Sequence, residues 1–162
     1  MRRTVSSLAV ALIAAVAVSA IATSCGSDST APTNKTYVAT LIAANEGAGH
    51  TSPGSGVATF VDTGSEIDWT MTLTNMTGVF ASHIHLGAAT VSGPVIFNLF
   101  IPNGTNTATL NGVVGSGTIT NANNVNISLD SLRVLFNNGN AYANVHTTAN
   151  PTGEIRGQIA LK

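Results

Sequence analysis

A chain of 162 residues has room for one domain and an export segment, since domains commonly run to about 100–150 residues. Only 8% of the residues are charged, against roughly 25% in ordinary soluble domains, and the formal net charge is -1. Beyond Arg2 and Arg3, the chain sets Lys35, Arg133, Arg156 and Lys162 against seven carboxylates, which excludes neutralisation of a phosphate backbone and, with it, nucleic-acid binding.

The N-terminal Met1-Arg2-Arg3 is basic, and Leu8 to Ala22 is a run of Ala, Val, Ile and Leu broken only by Ser19. An apolar run of that length, between a basic start and small residues, predicts a secretory signal over residues 1–24 and not a permanent membrane span. It ends at Ala22-Thr23-Ser24-Cys25, which resembles the lipobox of bacterial lipoproteins, although that pattern most often has Leu where Ala22 stands. The resemblance implies that Cys25 is diacylated and becomes the new N-terminus. With no other cysteine in the chain an internal disulfide is excluded, which favours the lipid attachment that the resemblance implies over the other reading, a leftover thiol after an ordinary signal. Residues 25–34 then read as the lipidated Cys and a small, polar, Pro-containing tether.

From residue 35 to 162, short alternating segments separated by Gly, Asn, Ser and Pro predict an all-β domain, a sandwich or barrel. Eight strands are expected, at about Thr36–Ala43, Val57–Asp62, Glu66–Asn75, Val79–Leu86, Pro94–Ile101, Val114–Thr120, Ala141–Thr147 and Glu154–Leu161. In the third, Ile67, Trp69, Met71 and Leu73 point one way and Asp68, Thr70, Thr72 and Thr74 the other, which places Trp69 in the core. Between the sixth and seventh, Leu129, Leu132, Leu135 and Phe136 fall at helical spacing, with Ser128 as N-cap and Asn138-Gly139 as the stop. One short helix capping the sandwich is expected there.

Three stretches carry a family resemblance. Ala81-Ser82-His83-Ile84-His85-Leu86-Gly87 with Gly93-Pro94-Val95 is similar to the His-x-His-x-Gly segment of chordin-type (CHRD) domains. Gly139 to Thr147 and then Pro151 to Ile159 resemble that family's second signature, and Tyr37 to Leu41 with Asn45-Glu46 resembles its start. The chain is thereby identified as a bacterial lipoprotein member of the family. The resemblance implies an immunoglobulin-like or Greek-key antiparallel β-sandwich. Animal members sit in chordin, an extracellular antagonist of growth-factor ligands, so the family points to a fold more sharply than to a job.

The residues themselves give a polar patch. On the fourth strand, alternation puts Phe80, Ile84 and Leu86 on one face and His83 with His85 on the other. Tyr142, Asn144 and His146 share a face of the seventh strand, and Glu154, Arg156 and Gln158 share one of the eighth. If these last strands pair antiparallel, His146 lies across from Glu154 or Arg156. One reading is a hydrogen-bonded network that fixes register. The other is a metal centre of His83, His85 and His146, three imidazoles suited to copper or zinc. Such spacing is also similar to the copper-binding strand of copper/zinc superoxide dismutases, but their zinc loop has no counterpart here, and His50 is the one imidazole left over.

Motifs for nucleophilic hydrolysis, nucleotide binding, zinc proteolysis and thiol redox chemistry are all absent from the sequence. The expectation is therefore a non-enzymatic binding or structural module, anchored to the cell or outer membrane by lipid and facing the periplasm or exterior. Its partner, a protein or a small ligand, is not specified by the sequence. The alternative is a periplasmic copper- or zinc-binding protein.

Overall fold

A computed structural model describes residues 34–100, 107–124 and 126–162. The predicted signal segment, Cys25 and nearly all of the tether lie outside the described residues. Within them the chain forms nine strands and one α-helix: β1 (Lys35–Leu41), β2 (Ser55–Asp62), β3 (Ile67–Thr77), β4 (Val79–Leu86), β5 (Val95–Phe100), β6 (Thr109–Ile119), α1 (Leu129–Asn137), β7 (Ala141–Thr147), β8 (Ile155–Gln158) and β9 (Ala160–Leu161). All pairings are antiparallel, in two sheets ordered β6-β3-β2-β1-β9 and β5-β4-β7-β8. The expected all-β sandwich is what forms.

The core lies between the sheets. Ile67, Trp69, Met71 and Leu73 of β3 pack with Phe60 of β2 against Ile84, Ala143, Val145 and Ile155 of the other sheet. Helix α1 closes one open end by inserting Phe136 between Tyr37 and Phe60, at ring-centroid distances of 5.3 and 5.2 Å. Ser128 caps it as expected, accepting from the Ser131 amide at 3.2 Å, and Gly139 ends it at φ 65°.

Two boundaries differ from the sequence reading for physical reasons. The run expected as one strand, Glu154–Leu161, is split: β8 pairs with β7, then the chain changes sheets so that β9 pairs with β1. A tight crossing allows this, because Gly157 lets β8 approach β1; a Cβ there would lie 2.2 Å from the Thr40 carbonyl oxygen. Strand β6 starts five residues earlier than expected. At the edge of its sheet it leaves Thr109 and Asn111 to Val113 exposed, with Leu110 alone of this stretch packed against the core, so no apolar alternation marks it.

Candidate metal centre

Strands β4 and β7 are hydrogen-bonded neighbours with Ala81 opposite His146, His83 opposite Asn144 and His85 opposite Tyr142. Since Ile84, Ala143 and Val145 take the core side, the pleat sends all three histidines to the far side of the sheet. There the ring centroids of His83 and His146 are 4.8 Å apart, those of His83 and His85 5.7 Å, and those of His85 and His146 6.1 Å. One ligating atom from each ring can be chosen so that all lie within 4.8 Å of one another. Nitrogens bonded to a common copper or zinc ion at 2.0–2.1 Å would be roughly 3.3–3.6 Å apart, so small ring rotations reach that spacing.

Two of the rings are already oriented. His85 Nδ1 lies 2.8 Å from the Gly93 carbonyl oxygen and His146 Nδ1 lies 3.0 Å from that of Pro151. A carbonyl only accepts, so each Nδ1 carries the hydrogen and each Nε2 keeps its lone pair. Such outer hydrogen bonds are what fixes the tautomer of metal-ligating histidines elsewhere. His146 Nε2 faces His83 Nδ1 at 3.0 Å, while His85 Nε2 is buried with no hydrogen-bond partner.

All three rings are held neutral. Burial, reinforced by the neighbouring imidazoles His146 and His85, pushes the His83 pKa down to about 4. Burial likewise lowers His85 and His146, against the upward pull of their carbonyl partners. At neutral pH none of the rings is an imidazolium, and His83 would ligate in the tautomer that leaves its Nδ1 unprotonated, giving up its hydrogen bond to His146 Nε2.

Around the histidines the structure sorts the predicted patch. Asn144 is 2% exposed in its midst, and its Oδ1 is buried without a partner. Arg156 stands beside it, not within it. Its Cζ lies 3.4 Å above the centre of the Tyr142 ring, and Tyr142 stacks on His85 at 4.9 Å and 10°. Because β7 runs between β4 and β8, Tyr142 is clamped between imidazole and guanidinium. Arg156 also donates from Nη2 to the Val91 carbonyl at 3.2 Å.

Glu154 does not join the patch, nor does it pair with Arg156. It precedes β8, so strand alternation does not govern it, and its carboxylate accepts from Ser52, Thr147 and Asn150. Burial pushes its pKa up, but these three bonds outweigh that and hold it below the usual range. Phe80 is also displaced from its expected face. An irregularity between Val79 and Ala81 opposes two steps on β4 to one on β7, and the Phe80 ring lies 5.9 Å from His146. Gly93 and Pro151 belong to loops and stand in the stretches that carry the family resemblance, but nothing in the strand alternation points to their carbonyls as partners of His85 and His146.

The model of the CHRD domain family matches residues 37–159. The chain belongs to that family. No curated protein and no solved structure matches the chain. The CHRD match runs from β1 through β8 and so includes all three histidines, Asn144 and Arg156. It starts beyond Cys25.

Proposed function

We propose that this CHRD domain is a lipid-anchored, extracytoplasmic binding module whose ligand is a copper or zinc ion held by His83, His85 and His146. One observation carries the metal reading: three neutral imidazoles converge, and His85 Nε2 is buried there with no donor in good hydrogen-bond geometry among the described residues. An unpaired buried acceptor costs free energy that a cation would recover. The donor set fits, since imidazole suits copper and zinc, and the carbonyls of Gly93 and Pro151 supply the outer hydrogen bonds. Anchoring rests on the lipobox-like Ala22-Thr23-Ser24-Cys25 after the apolar run.

Calorimetric titration of the purified chain with zinc and with copper tests the first part, beside a His83→Ala, His85→Ala double variant. One equivalent binds tightly to the wild type, and free metal at 100 times Kd adds about 2.7 kcal/mol of stability. The double variant shows neither effect. Uptake of no metal by the wild type, with the variant merely destabilised, would make the patch a register-fixing network. For the anchor, membrane fractionation should find the wild type in membranes and Cys25→Ala released or unprocessed; a wholly soluble wild type rejects it.

A further inference from the structure

Within the metal reading just proposed, on which this step rests, the three imidazoles leave one position of a tetrahedral ion unfilled. We infer that Asn144 fills it, its amide oxygen completing a site of three nitrogens and one neutral oxygen suited to a divalent zinc or cupric ion.

The placement is set by β-sheet register. Asn144 lies directly opposite His83 on the same face, between Tyr142 and His146 along β7. It is almost wholly buried, and its side chain bears on the His85 imidazole. Asn144 Oδ1 and His85 Nε2 are both buried, and among the described residues neither makes a hydrogen bond of good geometry, although the amide lies close enough to the ring to act on it as a hydrogen-bonding group. With His85 Nδ1 committed to the Gly93 carbonyl, its Nε2 is an acceptor in the neutral ring, as is the amide oxygen. Two buried acceptors on the same face of neighbouring strands would be satisfied together by a cation and by no second acceptor.

The oxygen also selects the ion. Three imidazoles alone suit the cuprous ion, whereas a hard amide oxygen favours a divalent one. Arg156 nearby opposes added positive charge, but the negative ends of the Gly93 and Pro151 carbonyls are linked to the site through the two imidazoles.

The competing arrangement has the amide turned over, so that Nδ2 donates to His85 Nε2 and Asn144 merely braces the ring. Zinc and cuprous affinities of the full chain, each measured against a chromophoric chelator, separate the two for wild type, Asn144→Ala and Asn144→Asp. If Asn144 is a ligand, Asn144→Ala weakens zinc binding about 10–100-fold while cuprous affinity changes less than about threefold. Asn144→Asp, which keeps an oxygen donor and when ionised cannot donate to His85, binds zinc at least as tightly as wild type.

The inference is overturned if Asn144→Ala binds zinc like the wild type, or if Asn144→Asp loses zinc as completely as a His85→Ala control. Should Asn144→Ala fail to fold, the Asn144→Asp comparison decides alone. Wild-type protein that takes up neither zinc nor copper overturns the metal reading itself, which is a distinct result from zinc binding that ignores residue 144.

Discussion

His83 Nδ1 and His146 Nε2 face each other at 3.0 Å across β4 and β7, and among the described residues no carboxylate is hydrogen-bonded to either ring. His146 Nδ1 already donates to Pro151, so in the neutral pair His83 is the donor and His146 the acceptor. Adding a proton to either ring places positive charge in a buried cluster.

That arrangement predicts acid sensitivity well above the carboxylate range. The folded-state pKa of His83, about 4, is below the ordinary 6.5, so the unfolded chain takes up the proton first as pH falls. The stability linked to neutral His83 is complete above about pH 7 and is lost as pH falls from 6.5 through 4. Urea midpoints measured from pH 8 to pH 4.5 should decline over that window, and His83→Gln should make the decline shallower. A wild-type midpoint that is flat down to pH 4.5 would contradict the buried, neutral assignment.

Away from the histidines, Arg133 of α1 holds Asp62 of β2. Its Nε and Nη2 donate to the carboxylate at 3.0 to 3.1 Å, Nη2 also reaches the Gly64 carbonyl, and Nη1 reaches Asp130. Burial pushes Asp62 up, but the Arg133 and Gly64 bonds overcome it and keep the carboxyl below its usual pKa. The stabilisation is thus present above about pH 4 and lost below it. Asp62→Asn keeps the shape and removes the charge, and should cost roughly 1.5–3 kcal/mol in urea unfolding at pH 7. A cost under about 0.5 kcal/mol would reduce the pair to a surface contact.

The core prediction concerns Trp69, which lies across from Gly117 on β6. A Cβ at Gly117 would be 3.0 Å from the indole nitrogen and one at Gly115 3.3 Å from the ring, so both glycines make room for it. Trp69→Ala should cost about 3–5 kcal/mol, followed by circular dichroism because the variant has no tryptophan left. Gly117→Val should also destabilise, by overpacking, although it adds apolar surface.

How far the sequence could be read depends on which signal each feature leaves. Alternation in β3 and helical spacing in α1 follow from one face being buried, whereas β7 is buried on both faces and is legible because small apolar and polar residues alternate along it, so these elements appear at or near their expected residues. The same rule brought His83, His85 and His146 to one face. Alternation fails where the chain leaves its ladder: at Phe80, where an irregularity turns the ring toward His146, and at Glu154, which precedes its strand. It is also silent on Gly93 and Pro151, because backbone carbonyls in loops orient His85 and His146 without any side-chain pattern.

Gly93 offers the sharpest test of how a loop governs the histidines. It sits where the turn after β4 folds back on itself, so that a Cβ would lie 1.6 Å from the Leu86 carbonyl oxygen and 2.8 Å from its carbon. These are backbone atoms, and no rotamer change relieves the clash. Gly93→Ala must therefore move the turn, and the carbonyl that holds His85 Nδ1 moves with it. The expected cost is about 1–3 kcal/mol in stability. In a long-range proton–nitrogen NMR spectrum, the wild-type His85 should be a fixed Nδ1–H tautomer, whereas the variant should show exchange between tautomers. Metal affinity should fall about 10–100-fold, as when an outer-shell partner is lost. Ser92→Ala, an exposed neighbour in the same turn, should stay within about 0.5 kcal/mol of wild type and leave the His85 tautomer unchanged. If Gly93→Ala lowered stability but left the tautomer fixed, the His85 tautomer would be set by the Asn144 side chain and not by the loop.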